Sequence, residues 1–151
     1  MTDSPTATPP VPFIAIPDDI RAFLDDTKFA TIATTDPDGA PRNAVIWYTI
    51  EGDEIVLNSA VGRRWPSNLV RDPRVALSVI DMDDGYRWIG ATGRVTVVED
   101  QAAAQADIAG MARRYHADEP GEAERLIRDR FERQARISFR MGLLSVIRHF
   151  D

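Results

Sequence analysis

Very short turns separate the first three β-type segments of the chain, and this spacing limits the sheet that they can form. Residues 29–35 are rich in β-branched side chains and end at Asp36-Pro37-Asp38-Gly39, a turn signal whose glycine is free to adopt a positive φ. Residues 42–50 follow as a second predicted strand, and after Glu51-Gly52-Asp53 residues 54–59 form a third. Because a parallel crossover needs a dozen or more residues, these strands must run antiparallel.

Two further strands and a final hairpin complete the predicted sheet. Residues 74–80 place alternate apolar side chains on one face, and residues 86–98 do the same around Gly93, which indicates a bend or bulge. Residues 135–149 are predicted to form a closing hairpin that turns at Met141-Gly142. Together these strands predict a closed or half-closed antiparallel barrel in an α+β protein that is mostly β.

Helical segments flank these strands in the prediction. Pro17 and the acidic pair after it favour a helix start, and Pro66 is equally suited to a first helical turn. Pro73 ends that second helix, because the residue before a proline avoids the helical region. The predicted helices are residues 18–26, 66–72, 100–116 and 122–134, the last two separated by Pro120-Gly121.

Composition excludes several classes of function. The net charge is −6, from 18 basic and 24 acidic residues, and this mean field repels a nucleic-acid backbone. The chain has no cysteine, its two histidines are too few for a histidine-rich metal site, and its apolar runs are too short to span a bilayer. We therefore expect a cytoplasmic protein that acts on a small molecule, without nucleic acid, membrane or metal.

The length of 151 residues fits one domain. We expect this domain over residues 17–151, after a mobile N-terminal tail at residues 1–16. The start of the chain is rich in threonine and proline and lacks the basic start and apolar core of a signal peptide.

The segment Asn58–Asn68 carries the strongest chemical signal in the sequence. Its glycine permits a sharp turn, and Arg63 and Arg64 precede a predicted helix whose free amide groups and dipole favour an anion. Ser59 and Asn68 add hydroxyl and amide donors at either end. These features predict a phosphate site. The alternative is a solvated loop with two surface arginines, because helix N-termini are common and most bind nothing.

Aromatic side chains form a second signal. Trp47, Trp65, Tyr86 and Trp88 lie on or beside the predicted strands, and a flat heterocycle could stack among them, although core packing is commoner for any single aromatic. Trp65 is expected to be exposed, because a loop beside two arginines is a poor place to bury an indole. Spacing assembles no Ser-His-Asp set and no carboxylate pair, which favours hydride transfer from a bound cofactor over hydrolysis.

In its order of elements the chain resembles the split β-barrel flavin- and deazaflavin-dependent oxidoreductases, the pyridoxamine 5'-phosphate oxidase-like superfamily. The resemblance rests on residues 29–34, 38–42 and 63–75, the last being similar to the family's R-x-K-x-x-N-L-x-x-D-P-R-V element. Tyr86-Arg87-Trp88 also fits, and the likeness covers about residues 18–149.

The resemblance implies an antiparallel split β-barrel flanked by helices, assembled as a homodimer with two cofactor sites at the subunit interface. The cofactor ring would lie against the second and third strands, and its phosphate would meet the two arginines and the helix that follows them. Tyr86 and Trp88 would come from the partner subunit or would wall the substrate side. The implied cofactor-binding residues are Val45, Ile46, Trp47, Ser59, Ala60, Arg63, Arg64, Trp65, Asn68, Tyr86 and Trp88.

Trp65 stands where many members of the family have a phosphate-binding lysine, and this difference is similar to a subgroup associated with coenzyme F420. The implied activity is that of a coenzyme F420-dependent reductase, which transfers hydride between the deazaflavin and an unsaturated small molecule. One alternative is an FMN-dependent oxidoreductase of the same fold. A second is a non-catalytic flavin, deazaflavin or haem binder, and a third is a bare dimerisation module.

Overall fold

The computed structural model describes residues 12–150, which form seven β-strands and four α-helices in an α+β fold that is mostly β. In chain order these are α1 (Asp18–Asp25), β1 (Ala30–Thr35), β2 (Pro41–Ile46), β3 (Thr49–Glu51), β4 (Glu54–Ala60), α2 (Arg64–Arg71), β5 (Arg74–Ile80), β6 (Trp88–Val98), α3 (Gln101–Tyr115), α4 (Pro120–Asp129) and β7 (Arg136–His149). A short 3-10 helix at Phe131–Arg133 precedes β7.

The sheet curls into a split barrel because of the way in which its two edges are joined. All pairings are antiparallel and the strand order is β2-β1-β5-β6-β7-β4-β3. The edge strands β2 and β3 are consecutive in the chain, and only Trp47 and Tyr48 connect them. Three peptide steps span about 11 Å at most, so the two edges must approach each other. The expected antiparallel split β-barrel is thus confirmed.

The single strand predicted over residues 42–50 is wrong, because the chain bends at Trp47 and Tyr48. The Tyr48 side chain is fully buried, and its hydroxyl donates to the carbonyl oxygen of Leu24 at 2.9 Å. The Tyr48 amide donates to the hydroxyl of Tyr115 at 3.2 Å instead of to a neighbouring strand. This bend sends β2 to pair with β1 and β3 to pair with β4.

The closing hairpin predicted at Met141-Gly142 is also wrong, because β7 runs without a break for 14 residues. It lies between β4 and β6 and pairs with both, so that it ties the two halves of the barrel together. Gly142 does not have a positive φ, whereas Gly39, Gly52 and Gly62 turn the chain with positive φ values elsewhere in residues 12–150.

The other predicted elements differ from the observed ones mainly at their ends. The bulge predicted at Gly93 is confirmed by a shift of register between Thr92 and Gly93. Pro120 occupies the first turn of α4 instead of lying between two helices, and α4 ends at Asp129 rather than at residue 134. Helix α2 begins at Arg64, two residues before its predicted start.

Two apolar cores place the site between the barrel and the helices. One core fills the barrel, and the other lies between β4 and the pair α3 and α4. Successive residues of β4 serve the two cores in turn, since Leu57 faces the barrel interior while Val56 faces the helices. The polar side chains that follow along β4 therefore also divide between the barrel and the helical layer.

The chain packs on the barrel before residue 17. The amide of Ile14 donates to the carbonyl oxygen of Leu143 at 2.9 Å, and Ile16 is buried in the barrel core. Residues 1–11 of the predicted tail lie outside the described residues. No helix within residues 12–150 combines the length and the apolar character needed to cross a membrane.

Candidate functional site

A pocket of about 550 Å³ opens between β2, β4 and the helical layer of α3 and α4. This volume lies within the range of small-molecule sites in proteins. Six residues named from the sequence line it: Val45, Ile46, Trp47, Ser59, Arg63 and Trp65. That they bind a cofactor stays a prediction, but the fold does bring them to one cavity.

Aromatic rings form much of the pocket wall. The indole of Trp47 stacks on Tyr115, with ring centroids 4.8 Å apart and an interplanar angle of 10°. The same indole meets Phe131 edge to face at 6.3 Å and His116 at 5.7 Å. These contacts from α3 and the 3-10 helix fix the orientation of Trp47. A flat ligand in the pocket would meet a rigid aromatic wall.

The exposed indole predicted at residue 65 is wrong, because Trp65 is only 7% exposed. It is the second residue of α2, so Trp65 and Leu69 stand four residues apart on the face that packs against the barrel. The Trp65 ring contacts Phe139 of β7 at a centroid distance of 5.8 Å. Trp65 is thus a wall of the pocket and not a group on its rim.

Arg64 and Asn68, predicted to bind a ligand anion, instead contact the carboxylate of Asp36 in the β1–β2 turn. The amide nitrogen Nδ2 of Asn68 donates to Oδ1 of Asp36 at 2.9 Å, and Nη1 of Arg64 lies 3.4 Å from Oδ2. Arg42 adds a third contact at 2.8 Å. At these two positions the protein therefore supplies an anion of its own, and the binding of a ligand anion by Arg64 and Asn68 stays a prediction.

The hydrogen bonds from Arg42 and Asn68 hold the pKa of the Asp36 carboxyl well below its usual range. The unfolded carboxyl has a pKa of roughly 4, so this cluster stabilises the protein above about pH 4 and loses its effect as the pH falls further. Asp36→Asn should lower the urea midpoint at pH 7 and should flatten the loss of stability on acidification. The measurement is the urea midpoint as a function of pH between neutrality and acid.

Asp38→Asn is the matched control for that experiment, because it makes the same charge change on the same turn at an exposed position. It should keep the wild-type dependence on pH. Parallel acid curves for Asp36→Asn and the wild type would show that the cluster does not contribute in this way.

Three arginines line the pocket, Arg63, Arg130 and Arg136, and no acidic residue of the described chain lines it. Arg136 is 4% exposed. Its Nε and Nη2 donate to Oδ1 of Asn58 at 3.0 and 2.8 Å, and its Nη1 donates to Oε1 of Gln134 at 2.6 Å. All of these acceptors are neutral. Burial and then the charges of Arg63 and Arg130 lower the pKa of Arg136 to about 10, so it stays charged at neutral pH.

Asn58 holds the buried arginine in place. Its Nδ2 donates to the carbonyl oxygen of Ala104 in α3 at 2.9 Å and to Oγ of Ser138 at 2.7 Å. The side chain of Asn58 thereby joins β4, β7 and α3 while its oxygen accepts from Arg136. The guanidinium of Arg136 is thereby held in position by neutral acceptors, and no carboxylate within residues 12–150 neutralises its charge.

Ser59 presents a hydroxyl that lacks a partner within residues 12–150, although the residue is buried and lines the pocket. A buried hydroxyl without a hydrogen bond costs about 1–3 kcal/mol and calls for an explanation. A ligand atom in the pocket would provide the missing partner.

The family model for pyridoxamine 5'-phosphate oxidase matches residues 16–138, which is most of the chain. The chain belongs to the pyridoxamine 5'-phosphate oxidase family. No curated protein matches its sequence significantly.

Solved structures with the fold of this family differ in what their names say of them. An F420 reductase aligns with a TM-score of 0.69 at 23% identity, covering 87% of this chain and 98% of its own. A conserved hypothetical protein from Mycobacterium tuberculosis aligns with a TM-score of 0.73 at 24% identity, covering 91% and 86%. The haem storage protein HutZ from Vibrio cholerae aligns with a TM-score of 0.68 at 18% identity, covering 89% and 95%. At these identities the likeness establishes the shared fold alone.

Five residues predicted for the site from the family resemblance do not line the pocket of this chain. Arg64 and Asn68 bind Asp36, and Ala60 pairs with Arg136 at the end of β4. Tyr86 is 82% exposed, and Trp88 stacks on His149 with centroids 5.7 Å apart at the start of β6. Tyr86 and Trp88 thus do not reach the pocket of their own chain, and their role beside a cofactor stays a prediction.

Sequence reasoning missed Arg130, Arg136 and His116 as residues of the pocket. Arg130 and Arg136 stand in a stretch of alternating charges that is typical of a solvated helix face. The available signal was the position of Arg136 at the start of a predicted strand, beside the apolar Ile137, where its side chain must either leave the sheet or find buried acceptors.

Proposed function

We propose that this member of the family is a coenzyme F420-dependent oxidoreductase that transfers hydride between the deazaflavin and an unsaturated small molecule. The observation that carries the proposal is that two indoles, an unpartnered buried hydroxyl and three arginines line one pocket, which no acidic residue of the described chain lines. The fold likeness to an F420 reductase supports the same choice.

The residues present fit a flat cofactor that carries a phosphate. Trp47 and Trp65 offer aromatic surface to a ring, and the Ser59 hydroxyl offers a hydrogen bond to a polar ring atom. The arginines offer charge to the phosphate. When bound, the deazaflavin supplies the hydride. The chain itself would orient the ring against Trp47 and exclude water with the apolar residues Ile108 and Met111 of α3.

FMN is the closest alternative, and the structure removes one argument against it. The missing lysine at residue 65 was the reason to disfavour FMN, yet Arg130 and Arg136 provide positive charge in the same pocket. Because these arginines line the pocket, the phosphate of either cofactor would have positively charged partners there without a lysine at residue 65. The choice between the two cofactors depends on the ring and not on the phosphate.

A haem-binding protein is a second candidate because His116 lines the same pocket. An imidazole is a common axial ligand of haem iron, and arginines suit the carboxylates of the haem edge. The likeness in fold to the haem storage protein HutZ supports testing this candidate. A haem protein of this kind would bind without turning over a substrate.

We also propose a cytoplasmic homodimer in which the partner subunit covers the pocket. Val45 is 70% exposed and Phe29 is 41% exposed, although both line the pocket. An exposed apolar rim around a binding site is typical of a surface that another chain covers. In such a dimer, Tyr86 and Trp88 of the second subunit would complete the wall.

Titration of the tryptophan fluorescence with coenzyme F420, FMN, FAD and haem tests these proposals together. We expect strong quenching at low concentration with coenzyme F420, and a smaller quenched fraction in Trp47→Phe and Trp65→Phe, because both indoles line the pocket. Trp88→Phe tests the dimer separately, because Trp88 does not line the pocket of its own chain. If the second subunit completes the wall, Trp88→Phe should also lower the quenched fraction, and an unchanged fraction would contradict that part of the proposal.

The possible results of the titration separate the candidates. Tighter quenching by FMN would replace the proposed cofactor with the flavin, and a strong haem absorption band that His116→Ala abolishes would favour the haem protein. Oxidation of reduced coenzyme F420 over a panel of unsaturated compounds then distinguishes a reductase from a carrier. Binding without turnover on any compound would contradict the reductase.

A further inference from the structure

We propose that Tyr115, the last residue of α3, is a positioning residue for the pocket, because it holds the indole of Trp47 in the orientation that receives a flat ring. Trp47 lines the pocket and Tyr115 does not, so Tyr115 acts through Trp47 and not by contact with a ligand. The identity of the ligand rests on the proposed function, but the contacts between the two residues do not depend on it.

The ring of Tyr115 lies flat against the indole of Trp47. Their centroids are 4.8 Å apart and their planes differ by 10°, so the tyrosine covers one face of the indole. His116 and Phe131 approach the same indole at interplanar angles of 72° and 82°. These neighbours leave the indole little freedom to turn. Trp47 is still only half-buried, so part of its surface remains for a ligand.

The hydroxyl of Tyr115 holds the backbone that carries Trp47. It donates to the carbonyl oxygen of Lys28 and accepts from the amide of Tyr48 at 3.2 Å. That amide belongs to the peptide group that joins Trp47 to Tyr48, in the two-residue connection between β2 and β3. Burial raises the pKa of the Tyr115 hydroxyl, so it stays protonated and able to donate at neutral pH. One side chain therefore restrains both the indole of Trp47 and the adjoining peptide plane.

Tyr115 is itself firmly held. Helix α3 packs on β4 through buried apolar side chains. The preceding residue, Arg114, donates to the carbonyl oxygens of Leu24 and Asp25 at 2.8 and 3.1 Å, which ties the end of α3 to the end of α1. A support of this kind keeps Trp47 ordered before a ligand arrives. Ordering a large side chain only on binding would weaken affinity by a factor of about two to ten.

The test compares two variants of Tyr115, with coenzyme F420 as the probe and the fluorescence anisotropy of the cofactor as the signal. Tyr115→Leu removes the ring and the hydroxyl, and it should bind roughly three- to tenfold more weakly than the wild type. Tyr115→Phe keeps the stacked ring and should stay within about twofold of the wild-type affinity. All affinities are measured well below the melting temperature of the least stable variant.

Tyr48→Phe is the matched control for these variants. It removes the hydroxyl of a neighbouring buried tyrosine, which donates to the carbonyl oxygen of Leu24, and it leaves the stack on Trp47 in place. We expect a lower melting temperature and the wild-type affinity. Loss of affinity in Tyr48→Phe as large as in Tyr115→Leu would mean that affinity follows stability, and would contradict a specific role of Tyr115.

A double-mutant cycle shows whether Tyr115 acts through Trp47. In a Trp47→Leu background the indole is gone, so the addition of Tyr115→Leu should not weaken the binding of coenzyme F420 further. A purely structural contribution would weaken binding to the same extent in both backgrounds. Equal effects in the two backgrounds, or wild-type affinity of Tyr115→Leu, would overturn the proposal.

Near-ultraviolet circular dichroism measures the order of Trp47 without a ligand, because this signal depends on fixed packing of aromatic side chains. Tyr115→Leu should weaken the tryptophan band, and Tyr48→Phe should keep it. An unchanged band in Tyr115→Leu would contradict the positioning of Trp47. If neither coenzyme F420 nor FMN binds the wild type while the band still depends on Tyr115, the proposed function is refuted and the hold of Tyr115 on Trp47 stands.

Discussion

Asn58→Ala is expected to lower the free energy of unfolding by about 3 to 5 kcal/mol, more than any other polar substitution considered for this protein. The side chain of Asn58 accepts two hydrogen bonds from Arg136 and donates one each to Ala104 and Ser138. Alanine removes all four and leaves the guanidinium buried with Gln134 as its remaining acceptor. The cost arises because an uncompensated charge stays in the interior, and urea unfolding at pH 7 measures it.

A double-mutant cycle isolates that cause. Arg136→Met removes the charge and keeps an apolar stem of similar length. It should therefore cost less than Asn58→Ala, although it also removes both hydrogen bonds between the two residues and the one to Gln134. The double variant should then be more stable than the sum of the single effects predicts, because the second substitution removes the charge that the first left with Gln134 as its remaining side-chain acceptor. Strict additivity would mean that Asn58 contributes through packing alone and that Arg136 does not depend on it.

The hydrogen bonds between Asn58 and Arg136 show which parts of the site could be predicted from the sequence and which could not. Trp47, Ser59 and Arg63 are recognisable locally, because they lie on a predicted strand or in the turn that follows one. The pairing of Arg136 with Asn58 depends on β7 lying beside β4, a register between residues 78 positions apart. No local pattern encodes that contact.

The same limit applies to Arg64 and Asn68. Both have the chemistry of ligand donors, and their place at a helix start favours an anion. The anion that they contact is Asp36, which comes from a turn 28 and 32 residues earlier in the chain. Donor chemistry was therefore predictable from the sequence, whereas the identity of the acceptor was decided by the tertiary fold.

The strands themselves were largely predictable because alternation and turn residues are local signals. The two errors, at Tyr48 and at Gly142, share one cause. In both places a long-range contact decides whether the chain bends. Burial of the Tyr48 side chain beneath α1 breaks a segment that has strand-forming residues, and the pairing of Gly142 with two neighbouring strands keeps straight a dipeptide that resembles a turn.

The glycines of β6 and β7 provide the second large effect. A methyl group added at Gly93 would overlap the backbone carbonyl oxygen of Gly142, which the paired strands hold in place. We therefore expect Gly93→Ala to lower the free energy of unfolding by about 3 kcal/mol or more, because only a shift of β7 against the bulge of β6 can relieve the overlap. Urea unfolding monitored by circular dichroism measures the change.

Gly142→Ala makes the same chemical change on the opposite side of this contact and serves as the control. The added methyl group would meet the ring of Phe13 at 2.7 Å, but Phe13 is 56% exposed and its side chain can swing away. The cost should stay below about 1 kcal/mol. Since neither glycine needs a positive φ, the two substitutions differ only in what the methyl group meets. Equal costs would show that backbone overlap at the bulge is not what requires glycine at residue 93, and would point to a loss of chain flexibility common to both sites.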